Sequence, residues 1–347
     1  MNSSGKMTLA AQFVKRPQNL WLRKAIFQIH LWTGIAMGLY VVAISVSGSA
    51  LFFRSIVNES VPGRKIVAGT GPLLTKEQLN AAARRAWPDY TPRSVWQGDV
   101  PGQEVEITIF RGSKRRTRIF DPYTGRDLGD AVPWILRAMS VMLDLHVNLM
   151  AGPTGRIVNG VAAIVLTLLA LTGAVIWWPG IANWRRSLTI NPKAGWKRIN
   201  WDLHSAVGFW TFAFFFMWSI TGVYLVFPEP FDKAINSIAP LDFYKLVASA
   251  PEVVVPVVKV ADPARPARPR RRRPPPHYSH GDMVIRTIFG MHFGNFGGLG
   301  IRITWALLGL TPPFLFITGA IMWWNRVLSK EARRLRRRAE PASAVPA

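Results

Sequence analysis

The sequence predicts a mainly α-helical membrane protein: a four-span helical bundle built from a duplicated two-span unit, with a small α+β domain inserted between spans 1 and 2. Three observations lead to this prediction. Hydrophobic residues make up 49% of the 347-residue chain and charged residues only 18%. Four long apolar runs, 25–53, 157–178, 203–227 and 303–324, contain no Asp, Glu, Lys or Arg, and these runs repeat one another in pairs.

The apolar runs are long enough to cross a bilayer, whose hydrocarbon core needs about 20 residues of helix. The predicted transmembrane helices cover 25–53, 156–178, 201–227 and 292–326, the last including a preceding segment that carries a histidine. Thr311-Pro312-Pro313 must kink the fourth span, because proline cannot donate a helical hydrogen bond. The first run is far longer than a signal-peptide core of roughly 7 to 15 residues, so we expect an uncleaved span.

The charges of the loops predict the topology. The short connection 179–200 is basic and has no acidic residue, which places it in the cytoplasm. The N-terminal tail 1–24 and the basic tail 327–347 then lie on the same side. The segments 54–155 and 228–291 are expected outside.

The first external segment predicts a small folded domain over 54–133. Thr75 to Trp87 has helical composition, and Glu104–Phe110 and Arg116–Phe120 alternate like strands around a turn. An amphipathic helix is expected over 134–155. In the second external loop, 228–291, the Pro- and Arg-rich stretch Pro251–Pro276 cannot form a core, so a tether is expected there.

Charge and cysteine content exclude several classes of protein. The net charge is +24, but the basic residues are divided among loops around apolar runs, so we expect membrane lipid and no nucleic acid as a partner. The chain has no Cys, which excludes disulfides, thiol catalysis, iron–sulfur clusters and covalently attached haem.

The internal repeat aligns spans 1 and 3, and spans 2 and 4. The first alignment pairs His30 with His204 and Ser47-Gly48 with Thr221-Gly222. The second pairs His146 with His292, Arg156 with Arg302, Thr172-Gly173 with Thr318-Gly319 and Trp177-Trp178 with Trp323-Trp324. Four of the 6 histidines therefore occupy matched positions, which packing alone does not explain.

The depths of these histidines predict two sites. His30 and His204 follow basic residues and lie near the cytoplasmic end, whereas His146 and His292 lie near the external face. Two imidazoles without Cys or a carboxylate cluster suit axial ligation of an iron porphyrin better than zinc, so we expect two non-covalent haem b groups per chain. A copper or iron pathway lined by histidine is the alternative.

Two further features of the spans allow two interpretations each. Arg156 and Arg302 at the outer boundary could bind haem propionates or reach towards the interface. Gly34 and Gly38 could admit the porphyrin edge or pack against another helix. His280, like His277, has no repeat partner and is expected to be solvated.

The histidine-bearing spans, the Thr-Gly pairs, the Trp-Trp ends and Phe120-Asp121-Pro122-Tyr123-Thr124-Gly125 in the inserted domain resemble the PepSY-associated transmembrane proteins of bacterial inner membranes. Within that family the chain is similar to FoxB-type ferrisiderophore reductases. The resemblance implies a PepSY-like periplasmic domain and di-haem b chemistry that reduces ferric siderophore and releases ferrous iron. It also implies that His30, His146, His204 and His292 are the axial ligands.

The chain contains no G-x-G-x-x-G after a strand, no P-loop and no flavin fingerprint, so the electron donor must be a separate partner, either a quinol or a cytoplasmic reductase. Three other functions compete with ferric siderophore reduction. They are a quinone-linked cytochrome b carrier, a histidine-lined metal transporter, and an interaction protein that the spans merely anchor.

Overall fold

The computed structural model describes residues 7–61, 63–69, 71–98, 100–112, 114–241 and 278–328. The chain divides into two compact units. The bundle unit comprises Met1–Phe52, Met142–Tyr244 and Tyr278–Ala347, and the inserted unit comprises Phe53–Val141 and Lys245–His277. The Pro251–Pro276 stretch, His277 and nearly all of the C-terminal tail lie outside the described residues.

The bundle unit is helical throughout its regular structure. Its elements are α1 (Leu9–Lys15), α2 (Trp21–Ala36), α3 (Gly38–Leu51), α7 (Gly152–Trp177), α8 (Trp196–Val226), α9 (Pro228–Ile238), α10 (His280–Phe293), α11 (Leu299–Gly309) and α12 (Thr311–Trp323). Helix α6 (Trp134–Asn148) leads into it from the inserted unit. Helix α7 packs against α8 and α2, and α12 packs against α8, α3 and α2, which closes a ring of helices.

The prediction of a mainly helical membrane protein is confirmed, and the structure offers three to four candidate spans where four were predicted. Within the described residues, three helices are long and apolar enough to cross a membrane: Gly152–Trp177, Trp196–Val226 and Leu299–Val327. The helix pair Trp21–Ala36 and Gly38–Leu51 passes the same test together but bends by 62°. Helix α8 also begins at Trp196, inside the segment predicted as a loop.

The bend in the first apolar run was not predicted. It lies at Met37, between Gly34 and Gly38, where a missing side chain leaves room for a kink. The ring of Phe316 on α12 occupies the space that a Cβ at Gly38 would need. Of the two interpretations offered for Gly38, helix packing is therefore the one observed. Gly34 is different, because a Cβ there would meet nothing within 4 Å.

The predicted interruption of the fourth span is confirmed. Helix α11 ends at Gly309 and α12 begins at Thr311, with proline in its first turn. The first N–H groups of a helix have no intrahelical acceptor, so proline is tolerated there. Thr311 donates its hydroxyl hydrogen to the Leu308 carbonyl oxygen at 2.7 Å across the break.

The inserted unit is a four-stranded antiparallel sheet with helices. Its elements are α4 (Arg54–Ser60), α5 (Lys76–Ala86), β1 (Thr91–Trp96), β2 (Val105–Arg111), β3 (Lys114–Phe120) and β4 (Asp127–Asp130), in sheet order β1-β2-β3-β4. The predicted helix and both predicted strands are confirmed, and β1 and β4 are additional. Alternate residues Val105, Ile107 and Ile109 of β2 are buried with Leu79 of α5, which builds the core.

Polar contacts fix the far edge of this sheet. Arg118 on β3 binds Asp127 at 2.9 Å and Asp130 at 2.9 Å, while its guanidinium lies 4.7 Å from the centroid of the Trp87 ring. In the turn before β4, Asp121 Oδ1 accepts the backbone N–H of Tyr123 at 2.8 Å. These contacts hold the turn Asp121–Gly125 that the sequence predicted.

Candidate functional site

His30 lies on α2 and His204 on α8, and both of these helices pack against α7 and α12. On α2, His30 Nδ1 lies 3.1 Å from Thr172 Oγ1 and 3.2 Å from the Leu169 carbonyl oxygen of α7. On α8, His204 Nδ1 lies 2.9 Å from Thr318 Oγ1 of α12. Each imidazole of this inner pair is thus held by a neighbouring helix through Nδ1.

The outer pair, His146 and His292, is held in the same way. His146 Nδ1 on α6 lies 3.0 Å from the Ile44 carbonyl oxygen and 3.3 Å from Ser47 Oγ, both on α3. His292 Nδ1 on α10 lies 2.7 Å from Thr221 Oγ1 on α8. The two rings face each other with centroids 6.4 Å apart and planes tilted by 58°.

The hydroxyl groups determine which imidazole nitrogen carries the proton. Thr172, Thr318 and Thr221 donate their hydroxyl hydrogens to carbonyl oxygens of their own helices at 2.9, 3.0 and 2.7 Å. Ser47 does the same at 2.7 Å. The Leu169 and Ile44 carbonyl oxygens can only accept, so Nδ1 donates in His30 and His146. A threonine hydroxyl whose hydrogen is used within its own helix accepts from Nδ1 of His204 and His292 in the same way. The Nε2 lone pair of every one of them is left for another partner.

Glycines next to these hydroxyl residues let the imidazoles come close. A Cβ at Gly48 would lie 2.7 Å from His146 Cε1, and one at Gly173 would lie 3.1 Å from His30 Cε1. A Cβ at Gly319 would lie 3.3 Å from His204 Cε1. Three of the four Ser/Thr-Gly pairs therefore combine an Nδ1 partner with space for the ring, whereas a Cβ at Gly222 would meet Ala163.

The two pairs lie near opposite ends of the bundle. Helix α8 runs unbroken from Trp196 to Val226 and carries both His204 and Thr221, the partner of His292. With a rise of ~1.5 Å per residue, these two positions are roughly 25 Å apart along the helix axis. The histidines therefore form two separate sites rather than one cluster.

The outer end has an additional set of anchors. Asn159 Nδ2 donates to the His146 carbonyl oxygen at 2.8 Å, and Tyr40 donates to Asn159 Oδ1 at 2.6 Å. At the matching repeat position, Trp305 Nε1 donates to the Met291 carbonyl oxygen at 2.8 Å. Different side chains thus fix the backbone at the two outer histidines.

The other residues considered from the sequence, Arg156, Arg302 and His280, differ in their surroundings. Arg156 Nη2 donates to the Leu225 carbonyl oxygen at 2.9 Å, at the C-terminal end of α8. Arg302 is half-buried in the first turn of α11. His280 is exposed at the start of α10, away from either pair. The propionate roles of Arg156 and Arg302 stay predictions.

Sequence reasoning missed the hydroxyl partners Ser47, Thr172, Thr221 and Thr318. The signal was present, because all four precede a glycine and match between repeats. Their meaning required knowing which helices lie side by side. Among the residues that the structure describes, no group of three or more His, Asp or Glu could hold a metal ion, so each site offers a pair of imidazoles.

A family model described as PepSY-associated TM region matches residues 27–326. This range includes all four histidines and their hydroxyl partners. No curated protein matches the chain.

Proposed function

Starting from the chain's membership of the PepSY-associated TM region family, we propose that this membrane protein carries electrons across a bacterial inner membrane with two haem b groups. His30 and His204 would bind one haem iron, and His146 and His292 the other. The proposal rests above all on one observation: in all four imidazoles Nδ1 lies within hydrogen-bond distance of a hydroxyl group on a neighbouring helix. Such fixed imidazoles present Nε2 to a metal.

The geometry of the outer pair supports two axial ligands on one metal ion. Two imidazoles that bind an ion from opposite sides at about 2.0 Å hold their ring centroids roughly 6 Å apart. The centroids of His146 and His292 are 6.4 Å apart. The open space beside Gly34, one turn after His30, is suited to a flat ring at the inner pair. When bound, haem would supply reversible one-electron chemistry.

The proposed layout is a duplicated two-span unit with both termini in the cytoplasm. The bent pair α2–α3 and helix α7 would form the first unit, and α8 with α11–α12 the second. Matched residues make matched contacts in both, since His30 meets Thr172 as His204 meets Thr318. The short basic segment 179–200 supports a cytoplasmic inner pair, which leaves the inserted unit in the periplasm.

The proposed acceptor is a ferric siderophore in the periplasm, reduced near the outer pair. Each ferric ion takes one electron, and the ferrous product binds hard oxygen ligands less tightly, which favours its release. The chain has 43 Lys and Arg against 19 Asp and Glu, and this excess of positive charge would attract acidic chelates. The donor is a quinol or a cytoplasmic reductase.

Two measurements test the proposal. Pyridine haemochrome and protein quantitation on the same purified sample should give two haems per chain, and a ratio near zero would reject the electron-carrier function.

Stopped-flow mixing of dithionite-reduced protein with ferric siderophores, with a ferrous chelator present, should show haem oxidation matched by ferrous complex formation. The matched control is the His146→Ala variant, which should lose this reaction. Oxidation by quinone and by no ferric chelate would identify a quinone-linked carrier instead.

A further inference from the structure

Three buried nitrogen donors in the described part of the bundle unit have no hydrogen-bond acceptor: Arg23 Nε, Trp177 Nε1 and Trp323 Nε1. A buried N–H without a partner destabilises a fold, because neither water nor protein replaces the lost hydrogen bond. Trp177 and Trp323 occupy matched positions of the sequence repeat. The same unsatisfied group therefore occurs once in each half of the bundle.

All three donors lie near the inner histidine pair. Trp177 follows Thr172 by five residues and Trp323 follows Thr318 by five, which is about 7.5 Å along a helix. Thr172 and Thr318 are the residues that hold His30 and His204. Both indoles are thus displaced from the imidazoles in the same direction, towards the helix ends that adjoin basic residues.

The indoles also lie against the two helices that carry the inner histidines. The Trp177 ring stacks on Phe209 of α8, with centroids 4.3 Å apart. The Trp323 ring packs edge-on against Trp32 of α2, with centroids 6.0 Å apart. Helix α2 carries His30 and α8 carries His204, so each indole packs against a helix that carries one of the inner histidines.

Arg23 adds a positive charge at this position. Its Nη2 donates to the carbonyl oxygens of Ile176 and Trp178, on either side of Trp177. Within the described residues, its charge meets no carboxylate, and its Nε has no acceptor. Indole and guanidinium N–H groups of this kind are suited to the oxygen atoms of an anion.

We propose that Trp177, Trp323 and Arg23 bind the carboxylates of the cofactor held by His30 and His204, which orients those carboxylates towards the basic segment 179–200. This inference rests on the proposed haem function and names the residues that orient the inner group. The same donors would also suit a lipid phosphate, so the experiment must distinguish the two anions.

The test compares porphyrins with and without free carboxylates. Full-length protein carrying His146→Ala, which keeps only the inner pair, is loaded with iron protoporphyrin IX or with its dimethyl ester. The free acid should bind more tightly. Trp177→Phe and Trp323→Phe, which keep a ring but remove the N–H, should each weaken free-acid binding about tenfold and leave ester binding unchanged. The propionate bands of the resonance Raman spectrum should shift in parallel.

Trp178→Phe is the matched control, because its Nε1 already donates to the Phe13 carbonyl oxygen at 3.2 Å. It should leave the preference for the free acid intact. The inference would be overturned if the tryptophan variants lost the same affinity for both porphyrins, or if Trp178→Phe lost as much free-acid affinity as they do. Loss of bound anionic lipid in native mass spectrometry, with porphyrin binding unchanged, would assign the donors to a lipid phosphate and also overturn it. If a tryptophan variant does not fold, the parent protein alone still tests the inference. Equal affinity of the parent protein for both porphyrins would reject the inference. Absence of any haem from the wild-type protein would instead reject the proposed function itself.

Discussion

Thr221 Oγ1 lies 2.7 Å from His292 Nδ1, and the same hydroxyl donates to the Met217 carbonyl oxygen at 2.7 Å. This arrangement fixes both the orientation and the tautomer of the imidazole. A ligand held in this way depends on its hydrogen-bond partner as well as on its own nitrogen.

Thr221→Val should therefore weaken haem binding at the outer pair by about 10- to 100-fold and leave the inner pair unchanged. Valine keeps the side-chain shape but cannot accept the Nδ1 hydrogen. Haem titration of the apoprotein measures the effect. Thr211→Val is the control on the same helix, because Thr211 binds only the Val207 carbonyl oxygen, at 2.8 Å. Equal effects of the two substitutions would contradict a ligand-orienting role.

Alanine substitutions should separate the histidines into two pairs. His30→Ala and His204→Ala should each remove one spectroscopic species, and His146→Ala and His292→Ala should each remove the other. Difference spectra of the reduced proteins provide the measurement. If His30→Ala and His146→Ala removed the same species, the pairing would be wrong.

Gly48→Ala should impair the outer site more than Gly173→Ala impairs the inner one. The added Cβ would stand 2.7 Å from His146 Cε1 in the first case and 3.1 Å from His30 Cε1 in the second. The shorter distance forces a larger displacement of the ring, since a contact of 3.1 Å is relieved by a shift of a few tenths of an ångström. Haem content per chain reports the difference. The control is Gly300→Ala, whose Cβ would meet no protein atom within 4 Å, and full outer-site occupancy in Gly48→Ala would count against the proposed geometry.

Reporter fusions should place Gly71 and Tyr278 outside the cytoplasm and Gly195 inside it. The short basic segment that contains Gly195 is the reason for this expectation. Alkaline phosphatase and green fluorescent protein fusions give opposite signals for the two sides. A cytoplasmic signal at Gly71 would reverse the proposed direction of electron transfer.

The inserted unit should lose stability as the pH falls below about 4, where unfolded carboxyl groups begin to take up protons. Burial raises the pKa of Asp130, but the hydrogen bond and charge of Arg118 outweigh it, so the pKa of this carboxyl is lowered on folding. A group with a lowered folded pKa stabilises the fold above its unfolded pKa and loses that contribution in acid.

Asp130→Asn should make this acid dependence shallower. Hydrogen exchange of strand β3 in the full-length protein, corrected for the intrinsic exchange rate, measures local stability at each pH. Asp89→Asn is the control, because the Asp89 side chain is 78% exposed. A profile unchanged by Asp130→Asn would show that this carboxyl does not cause the acid sensitivity.

The features that follow from local pattern could be predicted from the chain alone. Apolar runs of sufficient length indicated the spans, alternation indicated strands β2 and β3, and the repeat selected His30, His146, His204 and His292 as equivalent positions. Each of these depends on residues that are close in sequence or on matched spacing. The bend at Met37 was missed because Gly34 and Gly38 permit straight and kinked helices alike, and the Phe316 ring that packs against Gly38 comes from a distant helix.

Only the tertiary structure revealed what the repeated Ser/Thr-Gly pairs contact. Thr172 meets a histidine 142 positions away and Thr318 one 114 positions away. Such pairs form only when helices pack side by side at one particular rotation, because turning a helix by one residue points a side chain about 100° away. Hydrophobic runs specify that a helix is buried in a membrane. The choice of Nδ1 as donor, and the placement of Trp177 and Trp323 beside the inner pair, follow from how the helices pack.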